Sequence, residues 1–347
     1  MPESFKKNGD ARIENLWRFI GNTPMIELSY RYQGGAQKKI LVKCEQYNLT
    51  HSIKDRMALY ILQKAIEQGY LKPADTIVEV TSGNSGIAFA AIGRALGYRV
   101  KILMPDWMSV ERRTIIKSHG AEVELVSKEQ GGFLGSIRIA EAMAHFDDVF
   151  LPRQFENRYN VEAHEKTTGR EIGHYLLLKY LKPNAFVAGV GTGGTVMGVG
   201  KYLRSIYPQI RIHPLEPAES PTLSTGYKNG HHRIQGISDE FIPSIVDLKQ
   251  LDKIVKVHDG DAILMAQALK KLNLNVGISS GANVLGAIKL QNESSGEQVV
   301  ITVFPDDDKK YGSTDLFKNE LVTPEYLTPQ VELLEYKVVD NYGKDKP

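Results

Sequence analysis

The sequence predicts an α/β protein of two domains, with parallel-type twisted sheets flanked by helices and a cleft between the domains. Three observations carry that expectation. The chain has 347 residues, 42% of them hydrophobic, which is enough for a large core and is a length that usually divides in two. Short β-branched runs alternate with helical patterns along almost the whole chain. Several of those runs empty through small polar or glycine-rich turns into helices, the junction at which an open α/β sheet presents groups to a ligand.

In chain order, strands are expected over 39–45, 76–81, 99–105, 121–127, 149–152, 185–191, 210–217, 254–258, 276–279 and 298–306, each read from a β-branched or apolar run. Helical patterns separate them over 55–70, 86–96, 110–119, 133–146, 161–178, 196–207, 261–272 and 282–291. A polar, glycine-bearing stretch from Ser220 to Asp239 interrupts the series. The tail from Phe317 to Pro347 has uneven polarity and specifies no element.

Charge and cysteine usage narrow the function classes. With 43 basic and 41 acidic side chains the formal charge is +2, so no polyelectrolyte partner is implied and nucleic acid is not expected. The opening residues, MPESFKKNGDARIENLWRF, hold no apolar run of signal-peptide length, and no later stretch approaches the roughly 20 apolar residues a membrane span needs. A soluble, cytoplasmic protein is expected. Cys44 is the single cysteine, which excludes an intrachain disulfide and a multi-thiolate zinc site. The histidines are scattered, with no H-x-x-x-H helix pair, so metal hydrolase chemistry recedes.

Four strand-to-helix junctions carry the candidate chemistry. Asn48 to Arg56 turns from a strand into a helix whose first turn contains Lys54; taken alone that lysine reads first as a solvated surface charge, although the helix dipole and Arg56 would both lower its pKa as a catalytic lysine requires. Thr81, Ser82, Gly83, Asn84, Ser85 and Gly86 form a second junction, suited to a carboxylate or phosphate through backbone N–H groups, or to ordinary helix capping. The third, Gly189 to Thr195, exposes amides that can cradle a phosphate. Gly189, Gly191 and Gly194 also satisfy the dinucleotide fingerprint, with Glu216 at the spacing of a ribose-binding acid, so a nucleotide-dependent oxidoreductase is a rival reading; a purely packing role for the glycines is the other. The fourth is Phe304 to Tyr311 after a buried strand, whose three aspartates are a solvated turn unless a cofactor lies there.

Taken together, in this order and at these separations, the four loops resemble the cysteine synthase and cystathionine β-synthase family, the fold-type II enzymes that use pyridoxal 5′-phosphate (PLP). The likeness runs from Ile20-Gly21-Asn22-Thr23-Pro24 to Ser313-Thr314 and includes Arg153 to Asn157 and Gln235-Gly236-Ile237. It implies a small N-terminal domain, 1–160, holding Lys54 and the substrate loop, with the segment near 25–46 joining the second sheet. A C-terminal domain, 161–320, would hold the phosphate loop, and 321–347 is a tail. Lys54 would carry PLP as a Schiff base and serve as general base once freed. Asn84 would bond the phenolic oxygen of the cofactor, and Gly191, Thr192, Gly193, Gly194 and Thr195 its phosphate. Thr81, Ser82, Asn84 and Ser85 would hold the substrate carboxylate with Gln154. Gly236, Ser238 and Asp239 would line the substrate pocket. On this reading Glu216 is a structural acid and the dinucleotide reading falls.

The resemblance implies β-replacement on serine, O-acetylserine or cysteine, foremost the synthesis of L-cysteine from O-acetyl-L-serine and sulfide, by a homodimer. A cysteine lyase that releases sulfide to give serine or lanthionine, and a cystathionine β-synthase, are the alternatives, with sulfide, a thiol or water as nucleophile. Three departures bear on that choice. Asp307 aligns with a family serine opposite the pyridine nitrogen, where a carboxylate would strengthen the electron sink. Asp239 and Glu240 stand where cysteine synthases are glycine-rich, so either could orient a thiol or activate water, Asp239 being assigned a catalytic part. His51 replaces a usual glycine. Neither the haem extension nor the paired regulatory domains of some relatives are expected.

Overall fold

The computed structural model describes residues 11–238, 240–294 and 296–339. Asp239, to which a catalytic part was assigned, lies outside the described residues. In order, the elements are strand β1 (Met25–Tyr32), β2 (Lys38–Cys44), helix α1 (Lys54–Glu67), β3 (Thr76–Val80), α2 (Asn84–Leu96), β4 (Arg99–Pro105), α3 (Val110–Ser118), β5 (Glu122–Val126), α4 (Gly132–Met143) and β6 (Val149–Phe150). There follow α5 (Arg158–His164), a π-helical turn (Glu165–Gly169), α6 (Arg170–Leu178), β7 (Ala185–Gly189), α7 (Gly194–Ile206) and β8 (Arg211–Pro217). The chain closes with β9 (Val255–Val257), α8 (Asp259–Lys271), α9 (Ile278–Asn292), β10 (Val300–Phe304) and β11 (Val331–Val339).

Two sheets form. The smaller is parallel, in the order β5-β4-β3-β6. The larger runs β11-β1-β2-β10-β7-β8-β9 and is parallel except at β1, which is antiparallel to both neighbours. The segment of β1 and β2 therefore belongs to the second sheet, and α5 straddles position 160. Both faces of the large sheet are covered. Along β10, Val300 and Phe304 enter one apolar cluster and Ile301 and Val303 the other, which is why VITVF reads as an unbroken apolar run. Helix α9 is buried on nearly every side between that sheet and α8.

Three local expectations differ from the structure. The helical run 161–178 breaks into α5, the π turn and α6. Residues 276–279 are no strand: Ile278 already begins α9. The featureless tail supplies β11, which pairs with β1 from Met25↔Val339 to Tyr32↔Val331 and so covers a sheet edge that would otherwise be bare.

Candidate active site

The residues that follow β3, β4, β7 and β10 all border one cavity of about 490 Å³, within the range of small-molecule and cofactor sites. No cluster of three metal-ligating side chains is found among the described residues.

Lys54 borders this cavity as the first residue of α1. The chain is pinned before it. Ile53 N–H donates to the carbonyl of Pro305 at 2.8 Å, Ser52 forms a β-bridge with Asp306, and Lys54 N–H reaches Ser52 Oγ at 3.3 Å. Asp55 is wholly buried and accepts from Thr50 N–H, with burial raising its carboxyl to about 6. Arg56 turns away from Lys54. Its guanidinium is clasped by Glu45 (2.5 and 2.7 Å) and Glu171 (2.6 and 2.8 Å), with Lys43 2.7 Å from Glu171. The positive charge that the sequence sets beside Lys54 is thus already answered by two carboxylates.

The loop from Thr81 to Ser85 forms the opposing wall. Thr81 Oγ1 accepts from Gly83 N–H at 2.9 Å, and Ser85 donates to Gln154 Oε1 at 2.5 Å while Gln154 Nε2 donates to the Val80 carbonyl at 2.7 Å. Gln154 therefore stitches the loop to the end of its own strand. Behind it, Glu79 is buried; desolvation lifts its carboxyl to about 8 although the N–H groups of Val80 and Gln154 point at it. Asn84 opens α2, whose N-terminal dipole and free N–H groups favour an anion. Its Nδ2 donates to Asp306 Oδ2 at 2.7 Å, and its Oδ1 is buried with no partner.

The third wall is the loop into α7. Gly191, Thr192 and Thr195 border the cavity. Gly193 has φ +86°, the left-handed region that glycine adopts without strain, and a Cβ on Gly194 would overlap the Asn160 amide. Packed against this loop, with Ser238 N–H donating to the Val190 carbonyl at 2.8 Å, Gly236, Ser238 and Glu240 border the same space; the Ser238 hydroxyl donates to the Ser220 carbonyl at 2.9 Å, and Glu240 lies 3.3 Å from Lys228. Glu216 is committed elsewhere. It accepts from the N–H groups of Leu223 and Ser224 and from the Ser224 hydroxyl, so it offers nothing to a ribose.

The three aspartates form no solvated turn; each is buried and they diverge. Asp306 takes Asn84 and the Tyr311 hydroxyl (2.8 Å), and Asp308 takes Lys270 (2.8 Å). Asp307 requires a correction. It is not among the cavity residues; its carboxylate faces His51, Lys309 and Lys310 at 3.7 to 3.9 Å, and burial raises its pKa. Alternation along the chain past β10 turns it to the far side, toward His51, which has φ +60°. The polar side chain that does border the inner cavity near Val303 and Pro305 is Ser279 in the first turn of α9. The sequence reading missed it because 276–279 was taken for a strand. It also missed Arg112, buried with Nε unpartnered against Gly83, stacked 5.1 Å from the Tyr311 ring and bonded to Gln235. Nothing in the pattern of α3 marked that residue.

Comparison with known proteins adds the remaining identification. Residues 16–306 match the model of the family described as pyridoxal-phosphate dependent enzyme. The cysteine synthase of Staphylococcus aureus is 40% identical over 306 residues, covering 88% of this chain and 97% of that protein. Among solved structures, a hydrogen sulfide-producing enzyme from Fusobacterium nucleatum is 52% identical with a TM-score of 0.92, covering 95% of this chain and all of the other. The cysteine synthase of Entamoeba histolytica is 36% identical with a TM-score of 0.81, covering 90% and 93%. With the family match spanning most of its length and the junctions gathered round one cavity, the chain belongs to the pyridoxal-phosphate dependent enzymes and is a β-replacing enzyme of the cysteine synthase type.

Proposed function

We propose that this chain takes cysteine as its amino-acid donor and releases sulfide, giving serine or lanthionine as the β-replacement product. The observation that carries this reading is Glu240, a carboxylate that borders the same cavity as the substrate loop and lies 3.3 Å from Lys228. Sulfide is a good nucleophile without help, whereas water or an amino-acid thiol gains from a carboxylate that orients it or takes its proton. The full-length likeness to a hydrogen sulfide-producing enzyme supports the same direction. The opposite direction, cysteine from O-acetylserine and sulfide, is the second reading, favoured by the 40% identity to the Staphylococcus aureus cysteine synthase.

The residues fit PLP. Asn84 Oδ1 and Arg112 Nε are buried without partners at the cavity, and Gly191, Gly193 and Gly194 bring no Cβ to a loop whose N–H groups can meet an incoming phosphate. Lys54 would hold the cofactor covalently, Gly191 to Thr195 its phosphate, Asn84 its phenolic oxygen, and Ser279 would meet its ring at the inner wall. When bound, PLP supplies an electron sink for a carbanion at the substrate α-carbon. The protein does the rest. Thr81 to Ser85, at the N-terminus of α2 and braced by Gln154, bind the substrate carboxylate and fix which α-substituent faces Lys54. The Lys54 amine accepts the α-proton at Nζ. Phe133, Phe155 and Met108 border the outer cavity and keep bulk water from it. By the same likeness we infer a cytoplasmic homodimer; no helix among the described residues is long and apolar enough to cross a membrane.

Purified enzyme supplied with L-cysteine alone should release sulfide and yield serine or lanthionine by mass spectrometry. Its kcat/KM with cysteine should exceed that for O-acetylserine and sulfide under the same conditions. Faster cysteine synthesis, with no sulfide from cysteine, would replace this reading by the second.

A further inference from the structure

Helix α5 lies across the start of α7, and two of its side chains, one turn apart on the same face, reach the loop from Gly191 to Thr195. Asn157 caps α5 by accepting from Tyr159 N–H at 3.0 Å, which fixes where its first turn begins. Asn160 is fully buried. Its Nδ2 donates to Thr192 Oγ1 at 2.9 Å and to the Gln154 carbonyl at 2.9 Å, while its Oδ1 is buried without a partner. His164, 1% exposed, sets Nε2 3.5 Å from Thr195 Oγ1 and Nδ1 2.9 Å from Thr168 Oγ1. The π turn begins at the next residue and carries Thr168, so the register that brings the second hydroxyl onto His164 belongs to that turn. Close approach of the helices depends on Gly198 of α7: a Cβ there would overlap the backbone of Val161 and Glu165.

We propose that Asn160 and His164 are positioning residues that aim the hydroxyls of Thr192 and Thr195 at the cofactor phosphate; this rests on Gly191 to Thr195 being the phosphate loop. The hydrogen-bond count gives the direction. Thr192 Oγ1 accepts from Asn160 and, at 3.4 Å, from Gly194 N–H, so both lone pairs are used and its proton is left to donate. His164 is assigned the tautomer with its proton on Nε2: Thr168 then donates to Nδ1 and His164 donates toward Thr195, which frees that hydroxyl proton in the same way. Burial, reinforced by Arg56 and Lys54, holds the imidazole at about 3, so it stays neutral and acts as a hydrogen-bond donor, not as a counter-charge to the phosphate. Because Asn160 also holds the Gln154 carbonyl, and Gln154 braces Ser85, one helix sets the phosphate loop and the carboxylate loop together.

The test compares PLP with pyridoxal, which lacks the phosphate, by titrating the full-length chain stripped of cofactor and reading visible absorbance. His164→Ala and Asn160→Leu should each weaken PLP about tenfold, the scale of one hydrogen bond to an anion's partner, and leave pyridoxal within about twofold. His164→Gln, whose amide reaches where Nε2 does, should restore PLP; His164→Asn, which reaches only Thr168, should not. If the alanine variant does not fold, the Gln and Asn pair carries the comparison. Wild-type affinity should show no titration between pH 6 and 8 attributable to the imidazole. Equal weakening of PLP and pyridoxal, or no weakening of either, would overturn the proposal. Wild-type chain that binds pyridoxal as tightly as PLP would instead remove the phosphate-loop reading beneath it.

Discussion

Two buried polar clusters flank the start of α1, and they differ in whether their bonds are complete. Behind Lys54, the side chains of Lys43, Glu45, Arg56 and Glu171 form two cations and two carboxylates that all find partners, with Thr23 adding a hydroxyl bond to Glu45 at 2.6 Å. In front of it, around the cavity, Asn84 Oδ1, Arg112 Nε, Asn160 Oδ1 and Asp306 Oδ1 are buried without partners. An unmade buried bond costs about 1–3 kcal/mol; groups of this kind also occur elsewhere in the fold, but those beside the cavity stand where a bound ligand can complete them. We read the complete cluster as scaffold and propose the incomplete one as the site.

Substitution should separate the two. The largest effect is expected for Arg56→Met, which leaves Glu45 and Glu171 sharing Lys43; breaking a buried ion pair in this way costs about 3–5 kcal/mol and should appear as a lower urea midpoint at pH 7. Burial would raise the Glu45 carboxyl, but Arg56 overrides it and holds it below the ordinary range, and the Glu171 carboxyl is lowered as well. Their contribution is therefore present above the unfolded carboxylate pKa of about 4.5 and lost as the pH falls, so the acid limb of the wild-type stability curve should flatten in the variant. An unchanged midpoint would mean the cluster is not scaffold.

Glu79 sharpens the comparison, being a buried acid between scaffold and site. Its folded pKa of about 8 lies above the unfolded value, so the folded state keeps a proton the unfolded state loses, and stability falls as the pH rises from about 4.5 to about 8. Glu79→Gln should remove that slope, worth roughly 2–4 kcal/mol, in thermal melts taken from pH 5 to 9. A wild-type melt flat across that range would show the carboxyl to be ionised already.

Within the incomplete cluster, Asn84→Ala should cost only about 1 kcal/mol of stability, since one of its two polar atoms has no partner to lose. It should nevertheless shift the visible absorbance of the bound cofactor; loss of several kcal/mol with an unaltered spectrum would make Asn84 scaffold. Smallest of all, Asp307→Asn should change stability by about 1 kcal/mol or less, because its buried carboxylate makes no hydrogen bond that would be lost and meets its cationic neighbours only at 3.7 to 3.9 Å. The cofactor spectrum should not move. A spectral change would return Asp307 to the ring.

The α/β alternation was legible because buried parallel strands such as VITVF are apolar throughout and each is followed by a helix start with a distinct composition. That Lys54, Thr81 to Ser85, Gly191, Thr192 and Thr195 border one cavity was legible for a related reason: a loop that presents backbone N–H groups must be written in small residues. What failed depended on distance. Val276 to Ser279 is too short for periodicity to separate a strand from a buried helix start, which hid Ser279; Asp307 was placed at the ring by alignment with a family serine, which carries no information on which way the side chain turns. Asn160 and His164 touch hydroxyls about thirty residues away through helix packing that no local pattern encodes. Strand β11 alternates weakly because it covers an edge and keeps much of its surface in water.

The measurement that bears most directly on the division between scaffold and site is borohydride reduction of the native, yellow enzyme followed by peptide mapping. The reduced cofactor should be found on Lys54, with Lys43 and Lys310 unmodified. Label on either of those lysines, or colour lost without any covalent label, would contradict the assignment of the cavity in front of Lys54 as the cofactor site.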